Sequence, residues 1–313
     1  MRFNKLDLNL LVALDALLTE PNITRAAESM FMSQSAMSNA LGRLRDYFED
    51  DLLIQVGRKM ELTPRAQVLR EAVRDVLLRI DTSIAAKPHF DGLTSDREFT
   101  LCVSDFSMEV LMPRVLALLD AQRSKVRFRL IPQVAGPGRM LERGDSDLLI
   151  VPKAYCSPDH PNEVLFTETF VCVVWSGSQL AKRELTIDRY AEAGHVVMQP
   201  TLNEVDSFEG WFMHRQGLER RIDVKTYSFN SMASLVIGTE RIATMHTRLA
   251  DIYQRALPIK IYPVPLAMPA LEQTMQWHKY RSLDPGIIWL REILQEASRG
   301  LRAGAAVEAP TLA

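Results

Sequence analysis

The chain has 313 residues, 47% of them hydrophobic and 24% charged, with a formal net charge of −2. That length suits a small domain joined to a larger α/β region with a sizeable core. The near-neutral balance favours neither a bulk polyanion binder nor a membrane-surface protein.

Arg2 and Lys5 precede the apolar run LNLLVALDALL, but Asp7 and Asp15 interrupt a signal-peptide pattern, and leucines 10, 14, 17 and 18 fit one face of a helix instead. No run approaches the roughly 18 apolar residues of a membrane span. Cys102, Cys156 and Cys172 show no paired metal-type spacing, so reduced thiols, no metal site and a cytoplasmic location are expected.

The first helix is expected from about Asp7 to Thr19, before Pro21. NITRAAESM forms the second, capped by Asn22, with Ile23, Ala26, Ala27 and Met30 on one face. A third covers MFMSQSAMSNALGRLRDYF, and LLIQVGRKMELT reads as a hairpin around Gly57-Arg58. Thr63-Pro64 opens a helix of about twenty residues whose Leu69, Val73, Val76 and Ile80 follow coiled-coil spacing, which predicts a dimer through 64–86. Residues 87–96 read as a hinge.

Strands follow at REFTLCVS, KVRFRLIP, DLLIVP and 170–175, 222–227, 241–246, 259–265 and 274–280. One helix is expected from about Ser107 to Arg123, others near 186–193, 208–216, 231–238 and 248–255, and a last one from about Asp284. Such alternation predicts largely parallel sheets with ligand sites at the strands' carboxyl ends. The small-residue tail at 302–313 reads as disordered.

The third helix carries the chemistry. At 100° per residue, Ala36, Met37, Ala40, Leu41, Leu44 and Phe48 share one arc of about 140°. Gln34, Ser35, Ser38, Asn39, Gly42, Arg43 and Arg45 fill the other side, where a merely solvated face would favour Glu, Lys and Ala. Short side chains permit close approach to a surface, Gln and Asn pair adenine, and Arg pairs guanine. With NITRAAESM before it, the stretch reads as the second helix of a helix-turn-helix. Against this, residues 1–87 hold 12 Lys+Arg and 12 Asp+Glu, a net of zero that favours an ordinary packing helix, since DNA binders usually carry a basic excess.

The run DLNLLVALDALLTEPNITRAAESMFMSQSAMSNALGRLRDYFEDDLLIQVGRKMELTPRA resembles the winged helix-turn-helix of LysR-type transcriptional regulators. The signature pieces are Ala26-Ala27, Ser33-Gln34, Ser38 and Leu62-Thr63-Pro64. Later pieces (SGSQ, GTERIATMHTRLA, DPGIIWLREIL) resemble the branch of rhizobial nodulation and naphthalene/salicylate regulators. Ser35 departs from the family's usual proline.

The resemblance implies an overall α/β fold class: a winged helix-turn-helix (1–63), a dimerisation linker helix (64–86), the hinge (87–96) and a two-lobed periplasmic-binding-protein-like effector domain (97–301). Lobe I would take about 93–166 and 270–301, and lobe II about 167–269. Candidate DNA contacts are Thr24, Ser33, Gln34, Ser35, Ser38, Asn39, Arg43 and Arg45, with Arg58 and Lys59 on the wing and Thr63 and Arg65 after it. Candidate inducer contacts are Ser104, Asp105, Phe106, Thr169, Phe170, Asn203, His246 and Arg248. An arginine at 248 suits a carboxylate or phenolate. Thr169 stands where the branch has histidine. Ser104 is equally placed to cap a helix, and Arg248 to pair with Asp251.

Dispersed histidines and the lack of a nucleophile elbow or nucleotide loop speak against an enzyme, and no cofactor is expected. The implied partners are double-stranded promoter DNA with a partial palindrome, a small aromatic inducer, RNA polymerase and further copies of the chain, without a membrane. An activator of an aromatic-compound or related operon is the first expectation. A repressor or autoregulator answering to a non-aromatic metabolite, or an inducer-independent DNA binder, is the alternative.

Overall fold

The computed structural model describes residues 6–83, 89–133, 136–199 and 207–302. Expectations for 87–88 of the hinge, for Asn203 and for the tail beyond 302 lie outside the described residues. The chain divides into two compact units, one of Met1–Lys87 with Glu142–Asp145 and one of Pro88–Leu141 with Ser146–Ala313.

The first unit contains α1 (Leu8–Thr19), α2 (Ile23–Ser29), α3 (Gln34–Phe48), the antiparallel pair β1 (Leu53–Val56) and β2 (Lys59–Leu62), and α4 (Pro64–Ser83). Each early helix starts where the sequence offers an oxygen to an orphan amide. Asp7 accepts from Leu10 N, Asn22 from Arg25 N and Ser33 from Ala36 N. Gly57, at φ 64°, makes the hairpin turn that a Cβ would strain. The core joins Leu10, Leu14, Leu17 and Leu18 of α1 to Ala26, Ala27, Met37, Leu41 and Leu44, and the two alanines let α2 approach α3 closely.

The expected seam on α4 is corrected. Val73 is buried in this core and Leu69 packs against it, because α4 lies along α1. The apolar residues α4 leaves exposed are Val68, Ala72 and Val76, spaced four apart.

The second unit holds two five-stranded sheets. The first runs β4 (Arg127–Pro132), β3 (Glu98–Val103), β5 (Leu148–Pro152), β12 (Leu271–Trp277), β6 (Asn162–Glu168). The second runs β11 (Ile259–Pro263), β7 (Phe170–Trp175), β10 (Arg241–His246), β8 (Gly194–Met198), β9 (Arg221–Thr226). Helices α5 (Asp105–Val110), α6 (Met112–Ala121), α7 (Pro137–Glu142) and α12 (Pro285–Arg302) accompany the first; α8 (Ile187–Glu192), α9 (Phe208–Arg215), α10 (Met232–Leu235) and α11 (Thr247–Gln254) accompany the second.

Three expectations change here. The sheets are mixed, since β12 runs antiparallel to β5 and β6, and β7 antiparallel to β10 and β11. Strands β6 and β8 were not expected, and β6 continues to Glu168, two residues past the expected lobe boundary. The single helix expected over 107–123 is two, broken at Leu111, because Pro113 in the first turn of α6 has no N–H to continue the ladder of α5.

Candidate functional site

On the first unit, the start of α3 presents Ser33, Gln34, Ser35, Ser38 and Asn39 to solvent, with Thr24 exposed on α2 and Arg58, Lys59 and Arg65 exposed at the wing and beyond it. The Ser33 and Ser35 hydroxyls share a hydrogen bond of 3.0 Å, so serine in place of proline braces the helix start through its side chain. Arg43 reaches Asp7 at 3.2 Å, an exposed ion pair of the kind that contributes little and yields readily to a phosphate.

Two expected contacts are corrected. Thr63 is only 7% exposed, donates to Asp50 Oδ1 at 2.6 Å and caps α4 through Ala66 N, so it has no hydroxyl free for phosphate. Arg45 donates to the carbonyls of Asp51 (2.8 Å) and Leu53 (2.9 Å), which makes it the brace between α3 and the wing.

In the second unit, a cavity of about 420 Å³ opens where the carboxyl ends of the parallel strands meet. Antiparallel pairing brings other residues to the same level. Gln273 near the start of β12 lies opposite Pro152 at the end of β5, and Phe170 opening β7 lies opposite His246 closing β10. Ser104, Asp105 and Phe106 follow β3, and Tyr227, Ser228 and Phe229 follow β9; all line the cavity.

Its apolar wall is aromatic. The His246 ring stacks on Phe106 at 3.8 Å and 10°, lies 4.6 Å from Phe229 edge-on and 5.0 Å from Phe170, which stacks on Phe208. Burial pushes His246 down to about 3, so it stands here as a neutral imidazole, with Nδ1 buried and without a partner among the described residues. Ser104 both faces the cavity and caps α5 through Ser107 N. Asp105 Oδ2 accepts from Ser228 Oγ (2.7 Å) and Asn230 N (3.0 Å), a clasp from the first lobe to the second beside the cavity.

The described lining residues include no Lys or Arg. Arg220 stands behind Glu209 and is held by it, with a further bond to Tyr190 Oη, which contacts Thr244 at 2.7 Å.

Arg248 and Thr169 are removed from the inducer set. Arg248 donates to Glu168 Oε2 at 2.6 Å, to Thr167 O at 2.8 Å and to Leu301 O. It therefore pairs with Glu168 rather than with Asp251. Burial raises the Glu168 pKa, with the Arg248 charge pulling against it. Thr169 bonds Thr247 Oγ1 at 2.8 Å. These residues form a polar knot at the crossover between lobes, outside the cavity wall. Sequence reasoning missed Phe208, Tyr227, Ser228, Phe229 and Gln273. The residues after 222–227 were open to the same strand-end argument that found Ser104–Phe106.

A capped helix pair with an exposed polar second helix, a braced wing and a two-lobed α/β unit around a cavity define a helix-turn-helix transcriptional regulator with an effector-binding domain. Residues 8–67 match the bacterial regulatory helix-turn-helix protein, lysR family, and residues 94–299 match the LysR substrate binding domain. The chain belongs to the LysR family of DNA-binding transcriptional regulators, which are not enzymes. It is 44% identical over 306 residues to nodulation protein D 2 of Rhizobium leguminosarum bv. phaseoli, covering 97% of this chain and 96% of that one. It is 43% identical over 311 residues to nodulation protein D 1 of Mesorhizobium japonicum, covering 99% of each. A full-length OxyR variant from Pseudomonas aeruginosa has the same fold, with a TM-score of 0.75, 17% identity and coverage of 97% of this chain and 99% of that one.

Proposed function

We propose that this regulator is a cytoplasmic transcriptional activator that answers to a small, uncharged, hydroxylated aromatic held in the lobe cavity. The observation that carries the reading is the cavity wall: four phenylalanines and a neutral histidine, with hydroxyl and amide groups among them and no Lys or Arg among the described lining residues. An aromatic carboxylate entering it would lose water and meet the Asp105 carboxylate with no Lys or Arg among the described lining residues to pair with, since the nearby Arg220 is already held by Glu209. A phenol hydroxyl can donate to Asp105 or to the Gln273 side-chain oxygen.

DNA would be read by Gln34, Ser38 and Asn39, with Arg43, Arg58, Lys59 and Arg65 on phosphates and Thr24, Ser33 and Ser35 at the helix edge. Two copies would pair through the Val68–Ala72–Val76 stripe, presenting two α3 helices to a partial palindrome. Inducer-dependent rearrangement of a dimer or tetramer would then act on RNA polymerase. The names of the similar proteins support a nodulation-type regulon over an aromatic-breakdown operon. Among the described residues no helix is long and apolar enough to cross a membrane.

The test is a melting series of the full-length protein with 2-naphthol and 2-naphthoate. The naphthol should raise Tm, by an amount equivalent to about 2.7 kcal/mol at a hundredfold excess over its Kd, and the naphthoate should leave it unchanged. An equal or larger shift with the carboxylate overturns the charge assignment. On the DNA side, Lys59→Ala should weaken binding on every duplex and lower the salt slope by about 1, measured by titration at several salt concentrations.

A further inference from the structure

The turn between α2 and α3 contains a residue that neither packing nor backbone preference explains. Helix α2 ends in a Schellman arrangement, with Phe31 N donating to Glu28 O (3.1 Å) and Met32 N to Ala27 O (2.9 Å). That motif places one residue in the left-handed region, and here it is Phe31, at φ 55°. Glycine or asparagine takes this position at little cost, whereas the Cβ of a phenylalanine crowds the next carbonyl.

The other left-handed, non-glycine residues have evident compensation. Leu52 is 1% exposed and buried in the winged-helix core, while Glu49 and Arg123 are solvated polar chains. Phe31 is 99% exposed. Its ring gains nothing from the fold that strains its backbone.

Its place in the chain indicates what covers it. Phe31 precedes Ser33, the cap of α3, by two residues, so its Cα lies within about 8 Å of that cap. The exposed start of the second helix is the part of a helix-turn-helix that enters the major groove. A ring on the turn beside it meets the rim of the same groove.

We infer that Phe31 is a DNA contact whose ring packs on an apolar edge of the duplex bound by α3, either a thymine 5-methyl group or the adjoining deoxyribose. This rests on the reading that α3 enters the major groove. Apolar contact with the thymine methyl is a recognised mode of base reading, and deoxyribose offers a sequence-independent version of the same surface.

The experiment uses the full-length protein, Phe31→Asn and Gln34→Ala. The probes are a duplex recovered from a random-sequence library by selection with the unaltered protein, its uracil-for-thymine counterpart and a shuffled duplex. Affinity is read by fluorescence anisotropy, and melting is recorded for each protein. Phe31→Asn should melt at or above the temperature of the unaltered protein, yet bind the selected duplex about tenfold more weakly. If the methyl is the contact, uracil weakens the unaltered protein and leaves Phe31→Asn unmoved. If deoxyribose is, Phe31→Asn loses equally on all three duplexes.

Undiminished binding by Phe31→Asn, with Gln34→Ala weakened on the selected duplex, overturns the Phe31 contact and leaves the α3 reading standing. Undiminished binding by both variants overturns both. Undiminished DNA binding with loss of promoter activation would assign the ring to a protein partner such as polymerase, and also overturns the inference.

Discussion

Arg248→Ala should destabilise the effector unit by about 3–5 kcal/mol, because it strips the partner from a carboxylate sealed inside the protein. Glu168 is fully buried, and the Arg248 guanidinium is its one cationic partner among the described residues, besides closing the carbonyls of Thr167 and Leu301. In an effector unit of this size the loss corresponds to a fall in Tm of about 10 °C. Pairing Arg248→Met with Glu168→Gln should recover much of it, since two neutral groups leave no orphaned charge. Calorimetry of the single and double variants decides. A single variant that melts with the unaltered protein would show that Glu168 finds water or takes up a proton. Binding of the proposed aromatic by folded Arg248→Ala should be little changed, which separates a crossover brace from a ligand contact.

The second large effect is on acid stability. Burial pushes His195 down to about 4 and His246 to about 3, from an ordinary value near 6.5. His195 Nε2 faces Tyr190 O at 2.8 Å with Arg220 and Arg221 nearby and Asp223 opposing them; aromatic rings surround His246. Both are neutral in the folded chain, whereas the unfolded chain takes up protons below about pH 6.5. Their contribution is therefore complete above that pH and declines as pH falls toward 4 and 3. Between pH 7 and 5 each should cost about 2 kcal/mol, roughly 4 together. Urea unfolding at the two pH values measures it, with His246→Phe as comparison. That variant should lose about half as much as the unaltered protein, and an equal loss in both would remove His246 from the account.

The first unit was legible because its signals are local. Asn22, Ser33 and Thr63 mark helix starts by side chains that reach three residues ahead, and Gly57 marks the wing turn. The effector unit was less so. Strand β6 ends in Glu168, a charge that reads as surface until Arg248, 80 residues away, is seen beside it. Strand β8 is short and begins Gly194-His195. The direction of β7 and β12 depends on distant pairing, which alternation along the chain does not encode. Gln273 was missed for that reason, because it comes from the start of an antiparallel strand rather than the end of a parallel one. The clearest misreading, Arg248 as a cavity group, came from its place just after β10 and was corrected by its partners.

The position of β12 between β5 and β6 also sets an order of assembly during synthesis. The five strands of the second sheet are contiguous in sequence, from Phe170 to Pro263. The first sheet has β6 at one edge, paired to β12 alone, and β12 leaves the ribosome only after the whole second lobe. The later-encoded lobe is thus the first able to complete its sheet, while β6 waits with unpaired edges, a state in which nascent chains are prone to aggregate. Chains truncated after Leu266 should accordingly show protease resistance across 170–199 and 207–263 and cleavage within 98–133 or 136–168, and the reverse pattern would refute the order.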